Sequence, residues 1–329
     1  MRTSNKPVIA ITVGDFNGIG PEVTLKSLRH PALRSACRIV LIGPREVYSY
    51  YSGKSWFDPP PGFSLIETPA ISRTNISPGK LSKQAGATAA FAIEAAARAV
   101  QVGIADAIVT APVSKQALHL AGVDFPGQTE MVQQLSHSPK VAMMLVSRTM
   151  RVGLVTIHIP LSKVAKMLTT QLLRERIGII HSALKTDWRI RKPTLAVLGL
   201  NPHASEGGDI GTEDVKIVQP VVHEFQREGM NIEGPFPADA FFGTYKPGMF
   251  DAIVAMYHDQ GLIPLKMSSF GKGVNISVGL NIVRTSPDHG TAFDIAGKAI
   301  ANPGSMIEAI TLAAQVVRNR RLAQKAGRT

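Results

Sequence analysis

Residues 251–266 read DAIVAMYHDQGLIPLK, and two kinds of chemistry meet inside that stretch. Asp251 to Met256 is a short run rich in Ala, Ile and Val, the composition of a strand buried on both faces. Tyr257 to Lys266 then brings an imidazole, a carboxylate and an amine, side chains that packing alone does not require. Ligands of open α/β sheets bind beyond the carboxyl ends of the strands. The stretch therefore predicts an α/β protein whose site lies at such strand ends.

The same arrangement recurs along the chain. PVIAITV, RIVLIG, DAIVTA, VAMMLV, RVGLVTIHI and TLAVLGL are further buried-strand runs. Several lead straight into polar segments: ITV into GDFNGIGPE, IVTA into PVSK, LVTI into HIPLS, VLGL into NPHASEGG. Apolar positions at helical spacing predict helices over residues 83–102, 162–184 and 305–326. Residues 51–80 carry too much Pro, Gly and Ser for a long element and predict an excursion with one short strand.

Composition narrows the function. A chain of 329 residues exceeds what one core usually supports, so two domains are expected. No segment offers the unbroken apolar run a bilayer requires, and the start MRTSNKPVIAITVGD has no secretory cleavage pattern, which predicts a cytoplasmic protein. The single cysteine, Cys37, begins an apolar run and reads as a buried structural thiol. A net charge of +12 raises nucleic acid as a partner. Lys and Arg are scattered, however, and aromatics make up only 6% of the chain, too few for a base-stacking platform. Attraction of small anionic substrates accounts for the same charge.

Three histidines share one placement. His158, His203 and His258 each follow a strand, in segments read as loops with Pro or Gly nearby. Singly, each reads as a hydrogen-bonded loop residue; together, three neutral imidazoles can hold a divalent ion and leave positions open for substrate. Lys266, Asn275 and Arg284 are candidates for an anion site, an Arg fork and a Lys point charge both suiting phosphate or carboxylate. In FPGQTE, Gln128 and Thr129 offer neutral donors, or Thr129 simply caps a helix. GDFNGIGPE fits neither dinucleotide nor phosphate-loop spacing, and its Pro21 suits a first helical turn. In the loop from Ser286 to Ser305, Asp294 could accept hydrogen bonds from a ribose diol, and Gly290 lets backbone approach a ligand.

Read together, GDFNGIGPE, TAPVSK, GQTE, TIHIPLSKV, GLNPHASEGG, GPFPAD, MYHDQGLIPLK and RTSPDHGTAFDIAGK run in order from residue 14 to 298. They closely resemble the 4-hydroxythreonine-4-phosphate dehydrogenase family of pyridoxine biosynthesis. The last loop also resembles the adenosine loop of isopropylmalate dehydrogenases. The resemblance implies two α/β/α domains separated by a cleft, residues 1–125 with 300–329 and residues 126–299, in a homodimer whose active site lies in the cleft and at the dimer interface. It implies that His158, His203 and His258 bind a divalent metal (Zn, Mg or Co), one imidazole coming from the partner. Lys266, Asn275 and Arg284 match substrate-binding positions, with Gln128 and Thr129 where the family usually has His-Thr. His289, Gly290, Thr291 and Asp294 fall in the cofactor loop, with NAD expected over NADP because Asp294 would repel a 2′-phosphate. Asp239 and Asp259 are candidate supports. The implied reaction is NAD-linked oxidation and decarboxylation of 4-phosphooxy-L-threonine; 4-phospho-D-threonate or 4-phospho-D-erythronate is the alternative substrate, and a basic nucleic-acid-binding protein the distant one.

Overall fold

The computed structural model describes residues 6–125 and 127–326. The chain forms two compact units, Met1–Pro139 with Leu280–Arg321, and Lys140–Gly279 with Leu322–Thr329. Strands β1 (Val8–Thr12), β2 (Arg38–Gly43), β3 (Phe63–Glu67) and β4 (Ala107–Val109) belong to the first unit. The second contains β5 (Ala142–Val146), β6 (Arg151–Leu154), β7 (Thr194–Leu198), β8 (Asn231–Phe236), β9 (Ala252–Ala255) and β10 (Val274–Val278). The chain then returns to the first unit with β11 (Val283–Pro287).

In the first unit the order is β3-β2-β1-β4-β11, all parallel, with Ile9 opposite both Ile39 and Ala107. Every residue of β1 is buried, as its unbroken apolar run requires, whereas β3 is only half covered. The Ala-rich helix Lys83–Gln101 starts where the Ser82 hydroxyl accepts from the Ala85 N–H at 3.4 Å. It packs through Ala85, Ala89, Ala92, Ile93 and Ala96, all fully buried, so small side chains set its close approach.

In the second unit the order is β10-β5-β6-β9-β7-β8. β5 is antiparallel to both β10 and β6, while β6, β9, β7 and β8 run parallel. The carboxyl ends of β6, β9 and β7 therefore point the same way. Leu145, Val152, Leu154, Ile253, Leu262 and Leu265 form part of its core, with Phe236, Phe241 and Phe250 clustered beside them.

Several expectations are corrected. Residues 162–184 are not one helix: a short turn and the helix Val164–Met167 precede the helix Thr170–Thr186. Thr169 is extended there and accepts from the Leu172 N–H at 3.1 Å, which starts a new helix although the apolar period runs through the break. β8 was not expected, because Gly234 and Pro235 interrupt an otherwise strand-like segment. Residues 127–139 and 280–299 lie in the first unit. Asn281 ties them together, its N–H donating to Ser138 Oγ at 2.9 Å and its amide to the Ser136 and His137 carbonyls at 3.2 Å. Among the described residues, no helix is long and apolar enough to cross a membrane.

Candidate active site

In the first unit, β11 places Arg284 opposite Ile108 of β4, two residues before Thr110. The guanidinium is buried and donates from Nε and Nη2 to Thr110 Oγ1 at 3.1 and 2.7 Å. Nη2 also donates to Gln128 Oε1 at 3.2 Å, and Nη1 to Thr129 Oγ1 at 3.3 Å. Gln128 and Thr129 open the helix Gln128–Leu135, whose N-cap is Gly127 with no side-chain bond. Thr129 is thus not a cap: its hydroxyl serves Arg284. Burial pulls the guanidinium down to about 10, partly offset by the Glu130 carboxylate. It stays charged at neutral pH, and the side-chain partners named here are neutral oxygens. An anion brought to this cluster would meet a desolvated positive charge.

The loop after β11 is held by the segment that sequence spacing left without a task. The Ile19 N–H donates to the Thr291 carbonyl at 2.9 Å. A Cβ on Gly18 would stand 2.8 Å from that same carbonyl oxygen, so only glycine lets the two loops meet. Glu22 Oε1 accepts from the Ala301 N–H and from Lys26 Nζ, both at 2.8 Å, and Lys26 also donates to the Ala299 and Ala301 carbonyls. GDFNGIGPE is therefore a brace for the 288–301 loop. That loop presents an open Gly290, with nothing within 4 Å of a Cβ built on it, and an exposed Asp294. His289 Nε2 is buried without a partner among the described residues, a donor or acceptor available to a ligand.

In the second unit, the ring centres of His158 and His258 stand 5.7 Å apart at 44°. They line a cavity of about 310 Å³ with Thr156, Leu161, Val164 and Tyr257. Thr156 joins the two strand exits: its N–H and hydroxyl both donate to the Met256 carbonyl, at 3.1 and 2.7 Å. His258 Nδ1 is 2.7 Å from Asp259 Oδ1, a bond that orients the ring and leaves Nε2 for a ligand. With metal–imidazole bonds near ~2.0–2.1 Å, two rings on one ion have centres about 5–6 Å apart, so this pair fits a shared divalent cation.

His258 is not in a loop, as expected, but is the first residue of the helix His258–Ser269. Gly261 and Pro264 read as breakers, yet Gly261 is what lets this helix lie on the sheet: a Cβ there would come within 2.9 Å of Ala255 Cβ. His203 stands apart. Among the described residues no three His, Cys, Asp or Glu side chains are grouped closely enough to hold a metal. His203 is exposed on a turn in which residues 203–206 all have positive φ. Buried Asp214 stiffens that turn, accepting from the Leu200 and Asn201 N–H groups at 2.6 and 3.0 Å and from the Ser205 hydroxyl at 2.8 Å. Lys266 is exposed in the last turn of the His258 helix, and Asn275 lies on β10 with its Oδ1 buried and unpartnered among the described residues. Asp239 is exposed in the first turn of the helix Ala238–Thr244, an element carrying none of the three histidines.

Residues 35–313 match the family described as pyridoxal phosphate biosynthetic protein PdxA. The chain belongs to the PdxA family. A relative from Trichlorobacter lovleyi, a 4-hydroxythreonine-4-phosphate dehydrogenase, is 40% identical, covering 96% of this chain and 99% of its own. The crystal structure of the PdxA-family 4-hydroxythreonine-4-phosphate dehydrogenase from Klebsiella pneumoniae superposes with a TM-score of 0.83 at 36% identity, covering 96% and 99% of the two chains. An isocitrate dehydrogenase from Methylococcus capsulatus shares the fold alone, at a TM-score of 0.51 and 14% identity over 98% of this chain and 89% of its own. The chain thus has the expected α/β fold, shared with the 4-hydroxythreonine-4-phosphate dehydrogenase and, as fold alone, with the isocitrate dehydrogenase.

Thr110, Asn17, Gly18, Glu22 and Asp214 were missed as functional residues. Thr110 was detectable as the first polar residue after the apolar Ala107–Val109 run. Asn17 holds the Ser77–Lys80 turn, accepting from the Ser77 N–H at 2.8 Å and donating to the Lys80 carbonyl at 2.9 Å. Apart from the i,i+4 pair of Glu22 with Lys26, the contacts named for Asn17, Gly18, Glu22 and Asp214 join separate segments, and no local pattern encodes them.

Proposed function

We propose that this protein is the NAD-dependent dehydrogenase that oxidises 4-phosphooxy-L-threonine at its 3-hydroxyl and decarboxylates the product to 3-amino-2-oxopropyl phosphate in pyridoxal 5′-phosphate biosynthesis. The observation that carries the reading is the buried Arg284 guanidinium ringed by Thr110, Gln128 and Thr129, a receptor for a compact anion. Arg284 takes the substrate phosphate, Gln128 and Thr129 orient it, and Lys266 and Asn275 hold the amino-acid end, Asn275 through its free Oδ1. His158 and His258 hold the divalent cation, with His203 as third ligand supplied by a partner subunit. That cation supplies positive charge to a reaction in which a carbinol loses hydride and the resulting β-keto acid loses carbon dioxide. Asp259 fixes the His258 tautomer. Gly290, Thr291, His289 and Asp294 receive the NAD adenosine.

The dimer gains support from the outer face of the His258 helix, where Ile263, Met267 and Phe270 are 57%, 73% and 85% exposed, an apolar stripe suited to burial against a second copy. Purified protein is assayed with NAD or NADP, zinc or magnesium, and 4-phosphooxy-L-threonine, 4-phospho-D-threonate or 4-phospho-D-erythronate, following NADH and carbon dioxide. Turnover is expected to be fastest with the phosphorylated amino acid and NAD. Faster turnover of either phosphorylated hydroxy acid would move the assignment to that substrate, and no metal-dependent turnover of any would end it.

A further inference from the structure

The second unit has another concave surface, at the opposite ends of its parallel strands. A cavity of about 430 Å³ is lined by His181, Lys185, Arg191, Lys192, Glu228 and the residues that lead into β7 and β8. Pro193 and Asn231, which border it, stand at the amino ends of these strands. His203 follows the carboxyl end of β7, and the five residues of that strand separate the two ends by about 13 Å at ~3.3 Å per residue. The cavity is therefore not part of the imidazole site.

Its charge is one-sided. Lys185, Arg191 and Lys192 have no ion-pair partner among the described residues, and all three are exposed at the rim. The one carboxylate in the lining, Glu228, is already engaged by Arg174 at 3.6 Å. Partial burial holds His181 below its usual pKa, and the positive charge of the neighbouring Lys185 adds to that. The nearest helix end, the carboxyl end of Thr170–Thr186, carries partial negative charge, which the Asp187 and Ile190 N–H groups reduce by donating to the Ala183 and Leu184 carbonyls at 2.7 and 3.0 Å and which Lys185, Arg191 and Lys192 outweigh. No Phe, Tyr or Trp lines the cavity, so it lacks the broad aromatic platform on which nucleobases stack.

We propose that this cavity is a second anion site, separate from Arg284, that binds a small organic phosphate bearing at least two negative charges through Lys185, Arg191 and Lys192. The Arg fork and two ammonium groups suit phosphoryl oxygens, and the concave, bounded shape favours a small molecule over a polymer backbone. The site does not depend on the proposed reaction.

The probe is inorganic pyrophosphate, with inorganic phosphate for comparison, added to the full-length protein while the His181 ring resonances are followed by NMR and total binding by calorimetry. Pyrophosphate is expected to shift His181 and to bind more tightly than phosphate. Both responses at His181 should persist in Arg284→Met. Lys185→Gln, Arg191→Gln and Lys192→Gln should each weaken the His181 response roughly tenfold or more, with kcat and KM for the substrate unchanged. A His181 signal that never moves in wild-type protein, or one lost in Arg284→Met and kept in the three Gln variants, would overturn the assignment. So would duplex DNA that displaces pyrophosphate and loses affinity in the same variants, since the patch would then belong to nucleic acid.

Discussion

Arg284 is expected to cost the fold stability that it returns as ligand binding, and Arg284→Met separates the two. Burial lowers its pKa to about 10, well below the ordinary guanidinium range. At about 1.4 kcal/mol per tenfold change, the charged form is penalised by about 3 kcal/mol in the folded chain. The folded state gives up this proton before the unfolded state does. The penalty is thus complete below pH 10 and fades as pH rises above it. Methionine is apolar and similar in length, and it removes that cost. It also deprives Thr110, Gln128 and Thr129 of a donor, a loss of about 1–2 kcal/mol in all once these oxygens find water or one another. The net expectation is a gain of about 1–2 kcal/mol, a rise of a few degrees in thermal midpoint at pH 7 without ligand. The same variant should lose about 2–5 kcal/mol of substrate binding, so kcat/KM falls at least thirtyfold. A Met variant that melts several degrees lower while keeping its affinity for phosphorylated substrate would refute the reasoning on both counts.

Asp15 gives a pH-dependent expectation. Burial raises its carboxyl pKa to about 6 against the lowering bonds from the Asn17 and Gly18 N–H groups, and its Oδ2 has no partner among the described residues. Its raised folded pKa means that stability falls as pH rises from about 4 to 6 and stays low above that. Asp15→Asn should therefore raise the thermal midpoint at pH 8 and change it little at pH 4.5; equal effects at both would remove the explanation. Gly18→Ala places a methyl against the Thr291 carbonyl, and should raise KM for NAD tenfold or so while leaving phosphate binding at Arg284 intact, as judged by calorimetry. Asp294→Ala should narrow the preference for NAD over NADP, and a wild-type kcat/KM already higher with NADP would sink the role given to Asp294.

The sequence carried the strand runs and the polar turns after them because both are local: a buried parallel strand is a contiguous apolar segment, and its ligand-facing end is the next few residues. Asp251 to Lys266 shows where that reading stops. Gly261 and Pro264 punctuate the stretch as a loop, yet the pair sits inside a helix because Gly261 fills a gap too small for any side chain beside Ala255. Arg284 was legible as an anion binder by residue type, but its burial was not, since that follows from pairing with β4, more than 170 residues earlier. The link of Asn281 to residues 136–138 is illegible for the same reason, its three bonds being invisible to any window. The histidine trio lies between these cases: His158 and His258 meet because Thr156 ties their strand exits together, and His203 does not join them within one chain.

In the proposed dimer, a turn braced by a buried aspartate and carrying an outward imidazole would make each polypeptide a donor to a neighbour's chemistry. Two variants that are each dead, His203→Ala and His258→Ala, should then rescue one another when unfolded and refolded as a mixture. Each hybrid pair concentrates both lesions in one centre and restores the other, so random pairing returns about a quarter of native turnover. Genetic complementation between two null alleles would be the cellular counterpart.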